Sequence, residues 1–381
     1  MVAYNSLPVA VLRGLLVVAL ILAGVAFAQP NSGLTLHAGL PPVPSISHEK
    51  GAAIKVSLGR KLFFDKRLSR DGSISCASCH QPERMFADGR SIAQGIDGKL
   101  GTRNSPSLIN SVFQESQFWD GRRGSLEEQA LDPFVNGREH GMPNQKAILA
   151  VLRADPDYAG QFAKAFPNRG GSVTVQNVAR ALAAFESTLV AADSAFDRYF
   201  YLKDSKALSS KQQRGLALFI GPAQCVRCHE IGADSALFSD SQFHNLSVGI
   251  KTIEHRLASL TTRLARQHAR GASIDSDVLN DSEIAELGRF AVTLEPADIG
   301  KFRTPSLRNV ALTAPYMHDG SVTTLTAAVE YELYYRSAER GFPLILTPDE
   351  KSDLVAFLES LTTSPAALAK LGIRSHHEPA L

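Results

Sequence analysis

Four cysteines, one tryptophan and very few alternating strand-like runs mark this chain by what it has little of. Scarce alternation and frequent three-and-four spacing of apolar residues point to an all-α protein. The formal net charge is only +2. Charge of either sign is therefore too balanced to imply nucleic acid or bulk membrane binding. No low-complexity tract is present. The apolar run 15–28 is short for a membrane span, which takes about 20 residues, so an uncleaved anchor is the lesser reading of it, and no other segment could cross a bilayer. About 350 residues remain after that segment, enough for two domains.

The few cysteines are concentrated. They fall in Cys76-Ala77-Ser78-Cys79-His80 and Cys225-Val226-Arg227-Cys228-His229. Cys-x-x-Cys-His is the pattern of covalent c-type haem attachment, in which two thiols bond the haem vinyls and the histidine ligates iron. A structural zinc site would want its ligand pairs a short loop apart, and these pairs sit in different halves. A redox Cys-x-x-Cys would not require histidine next in line, twice. All four cysteines are used, leaving neither disulfide nor free thiol. Two covalent c-type haems are the expectation, held by Cys76, Cys79 and His80 and by Cys225, Cys228 and His229.

Arg13, the apolar run Leu15 to Ala28 and its Ala26-Phe27-Ala28 ending read as a signal peptide over residues 1–28, cleaved near Gln29. Export to the periplasm suits the haems, because c-type attachment takes place outside the bacterial cytoplasm. The exported protein should have no membrane attachment.

Helical periods organise the remainder. Ile54, Leu58, Leu62 and Phe63 share a face ahead of the first haem motif. Val175, Val178, Leu182, Phe185 and Leu189 describe a long amphipathic helix. Ser210 and Gln213 offer a capping box for a helix leading into the second motif. Thr347, Pro348 and Glu350 open a C-terminal helix with Leu354, Phe357, Leu358 and Leu361 as its buried stripe. Each half therefore reads as one mostly helical haem domain, 29–205 and 206–381, with a boundary around Lys203 to Ser209. Residues 251–290 are basic and then acidic, fitting either a solvated helical hairpin or a docking surface for a protein partner.

Several segments now resemble a known family. They are Gly101-Thr102-Arg103-Asn104-Ser105-Pro106, Phe118-Trp119-Asp120-Gly121-Arg122, the run Phe302 to Asn309, and Ala314-Pro315-Tyr316-Met317-His318-Asp319-Gly320. Together with two haem motifs they resemble the bacterial di-haem cytochrome c peroxidase and MauG superfamily, over about residues 50–362. The resemblance implies two cytochrome c-like domains packed around a shared interface. It also implies one haem, on His80, that reacts with hydrogen peroxide and a second, on His229, that passes electrons. Trp119 then stands where the family has an aromatic bridge between haems; without the resemblance, a lone tryptophan is core. Gln129, Pro133 and Glu139 match the pocket over the first haem, with Glu139 shuttling the peroxide proton. On composition alone Glu139 is a loop acid, and His140 beside it a solvated histidine or a second proton group. Asn104, with the carbonyls of Leu294 and Pro296, matches the ligands of a calcium ion, a cation that takes hard oxygens. His244 matches a position near the second haem.

Two departures from the family follow. Many members cap the peroxide-reacting haem with a histidine in the loop after the first motif, but none occurs here between His80 and His140. That site should be open without prior reduction, as in MauG. The far-side ligand of the second haem is Met in cytochrome c peroxidases and Tyr in MauG. The matching position here is Glu332, with Tyr331 one residue away. Either oxygen donor would lower the reduction potential relative to thioether; otherwise the tyrosines there are helix packing and the ligand lies elsewhere. MauG also has a surface tryptophan two residues before the second motif, where this chain has Ala223, so quinone-cofactor synthesis is not expected. The expected function is a hydrogen-peroxide-dependent oxidoreductase acting on an electron donor or protein substrate. Alternatives are peroxide removal with a small cytochrome or cupredoxin, or a di-haem electron carrier without peroxide chemistry.

Overall fold

The computed structural model describes residues 38–44, 51–167, 171–340 and 343–373. The signal-peptide segment lies outside the described residues. The chain is mostly helical, with one short antiparallel ladder, Phe243–His244 on Phe302–Arg303. Among the described residues no helix is long and apolar enough to cross a membrane.

Two helix pairs carry the architecture. The Ala52–Phe64 helix crosses Val175–Glu186, and Ser210–Ile220 crosses Pro348–Glu359. Both crossings pivot on a glycine. A Cβ on Gly59 would fall 1.8 Å from the Ala181 carbonyl oxygen and 2.9 Å from the Phe185 Cβ. On Gly215 it would fall 2.0 Å from the Asp353 oxygen and 2.7 Å from the Phe357 Cβ. Ala181 thus corresponds to Asp353, and Phe185 to Phe357.

A second correspondence needs no gap. Residues 105–126 match 304–325 at an offset of 199, with Pro-Ser-Leu, Asn, Asp-Gly and Leu retained. The backbone repeats too: Asn110 and Asn309 have φ of 64° and 62°, Phe118 and Met317 67° and 72°, Gly121 and Gly320 67° and 61°. The bridge Gln117 to Arg123 recurs as Tyr316 to Val322. The two halves are therefore built alike around their haem motifs.

Helix starts follow the sequence closely. Thr347 and Glu350 form a reciprocal capping box, and Leu354 and Phe357 are fully buried below it. At the other helix the box is Ser209 with Gln212, one residue before the expected Ser210 and Gln213. Two overlapping Ser-x-x-Gln pairs were available, and the earlier one fits the helix that begins at Ser210. Ile54 is 41% exposed while Leu58, Leu62 and Phe63 are buried, so the apolar face is narrower than its spacing suggests.

Two large cores form. The first gathers residues from Leu58 to Ala191, and the second from Phe196 to Leu361. Phe196, ahead of the 203–209 turn, packs in the second core, whereas Leu368 and Ile373 return to the first. Residues 250–299 build a third, small core around Leu260, Leu264 and Val278. That excursion is more than a solvated hairpin. Its acidic part is engaged by arginines of the first half: Asp275 pairs with Arg122 at 3.2 Å and Arg123 at 2.5 Å. Arg138 donates to the Asn280 carbonyl at 3.0 Å.

Candidate active site

Each haem motif is a single tight turn. The N–H of His80 donates to the Cys76 carbonyl, and that of His229 to the Cys225 carbonyl, both at 2.9 Å. This turn brings two thiols and an imidazole to one side. The rings are then fixed from behind. His80 Nδ1 lies 2.9 Å from the Phe86 carbonyl, and His229 Nδ1 lies 2.8 Å from the Phe238 carbonyl. A carbonyl can only accept, so Nδ1 carries the proton and Nε2 keeps its lone pair for a metal. Burial lowers both histidine pKa values, His229 to about 4, favouring the neutral ligating form. The residues present thus fit a covalent c-type haem at each motif.

In the second half a cavity of about 250 Å³ opens beside Cys225, Cys228 and His229. Phe219, Val329, Leu354 and Leu358 give it an apolar wall, and Trp119 and Glu332 also face it. Tyr331 does not line it, and stacks instead on Tyr335 at 4.3 Å. Extended seven residues past the matched stretch, where no identity continues, the offset of 199 sets Glu332 against Pro133. Ala223 is buried and lines this cavity. His244 lines it as well, with Nε2 2.7 Å from the Asp240 carboxylate.

The expected residues of the first-haem pocket share one irregular stretch. Gln129 ends the Leu126–Gln129 helix, and Pro133 sits in the first turn of Asp132–Val135. The loop carrying Glu139 is pinned on both flanks. Ile96 N–H donates to the Glu139 carbonyl and Arg70 N–H to the His140 carbonyl, both at 2.9 Å. Asn136 Nδ2 donates to Glu139 Oε1 at 2.6 Å. Burial raises the Glu139 pKa above the ordinary carboxylate range, while Arg122 and Asn136 oppose the shift. Its charge helps to raise the pKa values of the Cys79 and Cys76 thiols. His140 is not solvated. It is buried, its Nδ1 bonds the Leu68 carbonyl at 3.0 Å, and burial lowers its pKa to about 4.

One acid was missed by the sequence reading. Glu186 is 4% exposed, its Oε2 has no hydrogen-bond partner, and burial pushes its pKa up to about 8. Through the glycine crossings it corresponds to Leu358, a wall residue of the second cavity. It also presses on the Cys76 thiol. The available signal was an acid falling on the apolar face of an amphipathic helix.

Between the halves, the Asn104 peptide is clasped from two sides. Trp119 Nε1 donates to its carbonyl at 3.0 Å, and its N–H donates to the His318 carbonyl at 2.7 Å. Asn104 Nδ2 donates to the Arg90 carbonyl at 2.7 Å, which directs Oδ1 the other way. Leu294 and Pro296 follow the Phe290–Thr293 helix, and the Pro296 carbonyl accepts from Ile299 at 3.3 Å. An amide oxygen and backbone carbonyls are each hard oxygens of the type calcium takes.

Residues 53–207 match the family described as di-haem cytochrome c peroxidase. The chain is 35% identical over 378 residues to "Cytochrome-c peroxidase IdrP1" of Pseudomonas sp. (strain SCT), covering 94% of this chain and 92% of that protein. It is 35% identical over 334 residues to "Methylamine utilization protein MauG" of Methylorubrum extorquens, covering 85% and 83%. A solved "MauG-like protein associated with microbial copper homeostasis" superposes with a TM-score of 0.68 at 33% identity, covering 88% of this chain and 96% of that one. With two haem-attachment turns set in two like-built halves, the chain belongs to the di-haem cytochrome c peroxidase family.

Proposed function

We propose that this protein is a periplasmic, hydrogen-peroxide-dependent di-haem oxidoreductase of MauG-like character, oxidising a protein electron donor or a protein side chain. The observation that carries the reading is the contrast between Pro133 and Glu332. Extending the offset of 199 past the matched stretch sets one against the other. Proline offers no side-chain donor, so the first site stays open to peroxide. Glutamate at the wall of the second cavity offers a carboxylate oxygen to the second iron. Tyr331, turned to Tyr335, is the weaker candidate.

When bound, the haems supply an iron at which the O–O bond is cleaved and a second iron that shares the oxidising equivalents. The chain's own residues do the rest. Glu139, held by Asn136 and the pinned loop, takes a proton from the incoming peroxide and returns it to the departing oxygen. Gln129, at the end of the Leu126–Gln129 helix, orients the oxidant. Trp119, hydrogen-bonded to Asn104 at the seam and facing the second cavity, connects the two sites. Asn104 Oδ1 with the carbonyls of Leu294 and Pro296 holds one calcium ion there.

Rapid mixing of the fully oxidised protein with one equivalent of hydrogen peroxide tests the open site: its visible spectrum should change without prior reduction. If change requires one-electron reduction first, the first site is capped. Glu332→Gln should alter the ferric spectrum of the second haem and Tyr331→Phe should not. The names of several relatives favour a second reading, peroxide removal with a c-type cytochrome or cupredoxin. Rapid steady-state turnover with such a donor would select it.

A further inference from the structure

Three tyrosines sit together on the Leu325–Arg340 helix. The rings of Tyr331 and Tyr335 stack at 4.3 Å and 29°, and Tyr335 meets Tyr334 edge-on at 5.0 Å. At the inner end, Tyr331 adjoins Glu332 and lies one turn from Ala328, both on the wall of the second-haem cavity. At the outer end, Tyr334 is 67% exposed. Aromatic pairs on a helix surface add only about 0.2–0.5 kcal/mol, and an exposed ring buries little. Stability alone gives Tyr334 no reason to be there.

A cation also stands over the cluster. Lys251 Nζ lies 5.1 Å from the Tyr335 ring centre. A phenol that loses an electron must also shed its proton, and at the exposed Tyr334 the solvent takes it.

We propose that Tyr331, Tyr335 and Tyr334 form a relay carrying oxidising equivalents from the second-haem cavity to a reduced redox protein docked over Tyr334. The relay rests on the peroxide-dependent reading above. In each passage the Tyr334 phenol gives one electron inward and releases its proton to water. The resulting phenoxyl then takes one electron from the docked protein and one proton from solvent, restoring the phenol. Two passages supply the two electrons that, with two protons, reduce one hydrogen peroxide to two waters.

The test is radical trapping. The haem-loaded protein receives one equivalent of hydrogen peroxide with the nitroso trap 2-methyl-2-nitrosopropane and no donor, and is then digested and mapped by mass spectrometry. The adduct should fall on Tyr334, and in Tyr334→Phe it should move to Tyr335. The exposed position of Tyr334 makes that variant safe to fold. Adducts solely outside residues 331–335, or none, while the visible spectrum shows peroxide consumed, would overturn the relay and leave the peroxidase reading standing. No peroxide consumption at all would overturn the reading itself, and the relay with it.

Discussion

Glu139 is useful as a base only while it is charged, and its surroundings pull that charge both ways. Burial raises its pKa, and Arg122 and the Asn136 amide draw it down. Glu139→Gln keeps the size and the hydrogen bond to Asn136 but cannot take a proton. Formation of the oxidised species after peroxide addition should slow by about 10²–10⁴-fold. In the parent protein the same rate should fall as pH drops through the raised Glu139 pKa. A variant that reacts at the parent rate would return Glu139 to the role of a loop acid. Glu186 makes a different case, because nothing offsets its burial. The fold keeps a proton on it up to about pH 8, whereas the unfolded chain loses that proton near the ordinary 4.5. The native state therefore binds more protons in that window, and stability falls as pH rises through it. Glu186→Gln should flatten this slope in the haem-loaded protein, gaining on the order of 3 kcal/mol relative to the parent between pH 5 and 8. Urea midpoints at the two pH values measure it. Equal slopes would mean that the acid has a partner.

Elements in this molecule are placed by close approach as much as by pattern. Gly59 lies inside the Ala52–Phe64 helix, where alanine is normally better by about 1 kcal/mol. Here its Cβ would strike the Ala181 carbonyl. Gly59→Ala should therefore destabilise by about 1–3 kcal/mol, reversing the sign expected from propensity. Gly160, at an exposed position of the Pro156–Ala165 helix, would set a Cβ in open space, with nothing within 4 Å. Gly160→Ala should stabilise slightly, and denaturant midpoints of the two variants decide between packing and propensity. This is also where sequence legibility stops. Capping residues such as Thr347 and Glu350 act locally, so the helix starts could be read. The haem motifs could be read because both thiols and the histidine lie within one turn. What Gly59 and Gly215 meet lies over a hundred residues away, and local spacing does not carry that. The likeness of 105–126 to 304–325 was present in the sequence as scattered identities. Its force came only when the matched φ values showed the same turns. Likewise, the charges of 251–290 displayed a dipolar segment, but which arginines claim Asp275 depends on how the excursion folds back.

At the scale of the whole molecule, two like-built halves share their turns and differ in most side chains, and a few of those differences fall where chemistry acts. Pro133 answers to Glu332, Glu186 to Leu358, and Trp119 to His318 across the two correspondences. The His-to-carbonyl bond behind each motif is kept in both. Retention of this feature in each half means that both motifs are built to carry the same cofactor, and divergence elsewhere sets what each then does. The chain should accordingly carry two haems bonded through thioethers, which denaturation cannot release. Intact-mass spectrometry of the denatured protein should show the mass of two. Cys225→Ala with Cys228→Ala should remove one haem and leave the first in place, because the first core, from Leu58 to Ala191, holds its own helix pair. Peroxide should still react at the first site in that variant, but with no second iron to share the oxidising equivalents, any intermediate formed should decay faster than in the parent. A parent mass corresponding to a single haem would break the equivalence of the halves, and with it the comparison that assigns Glu332 to the second iron.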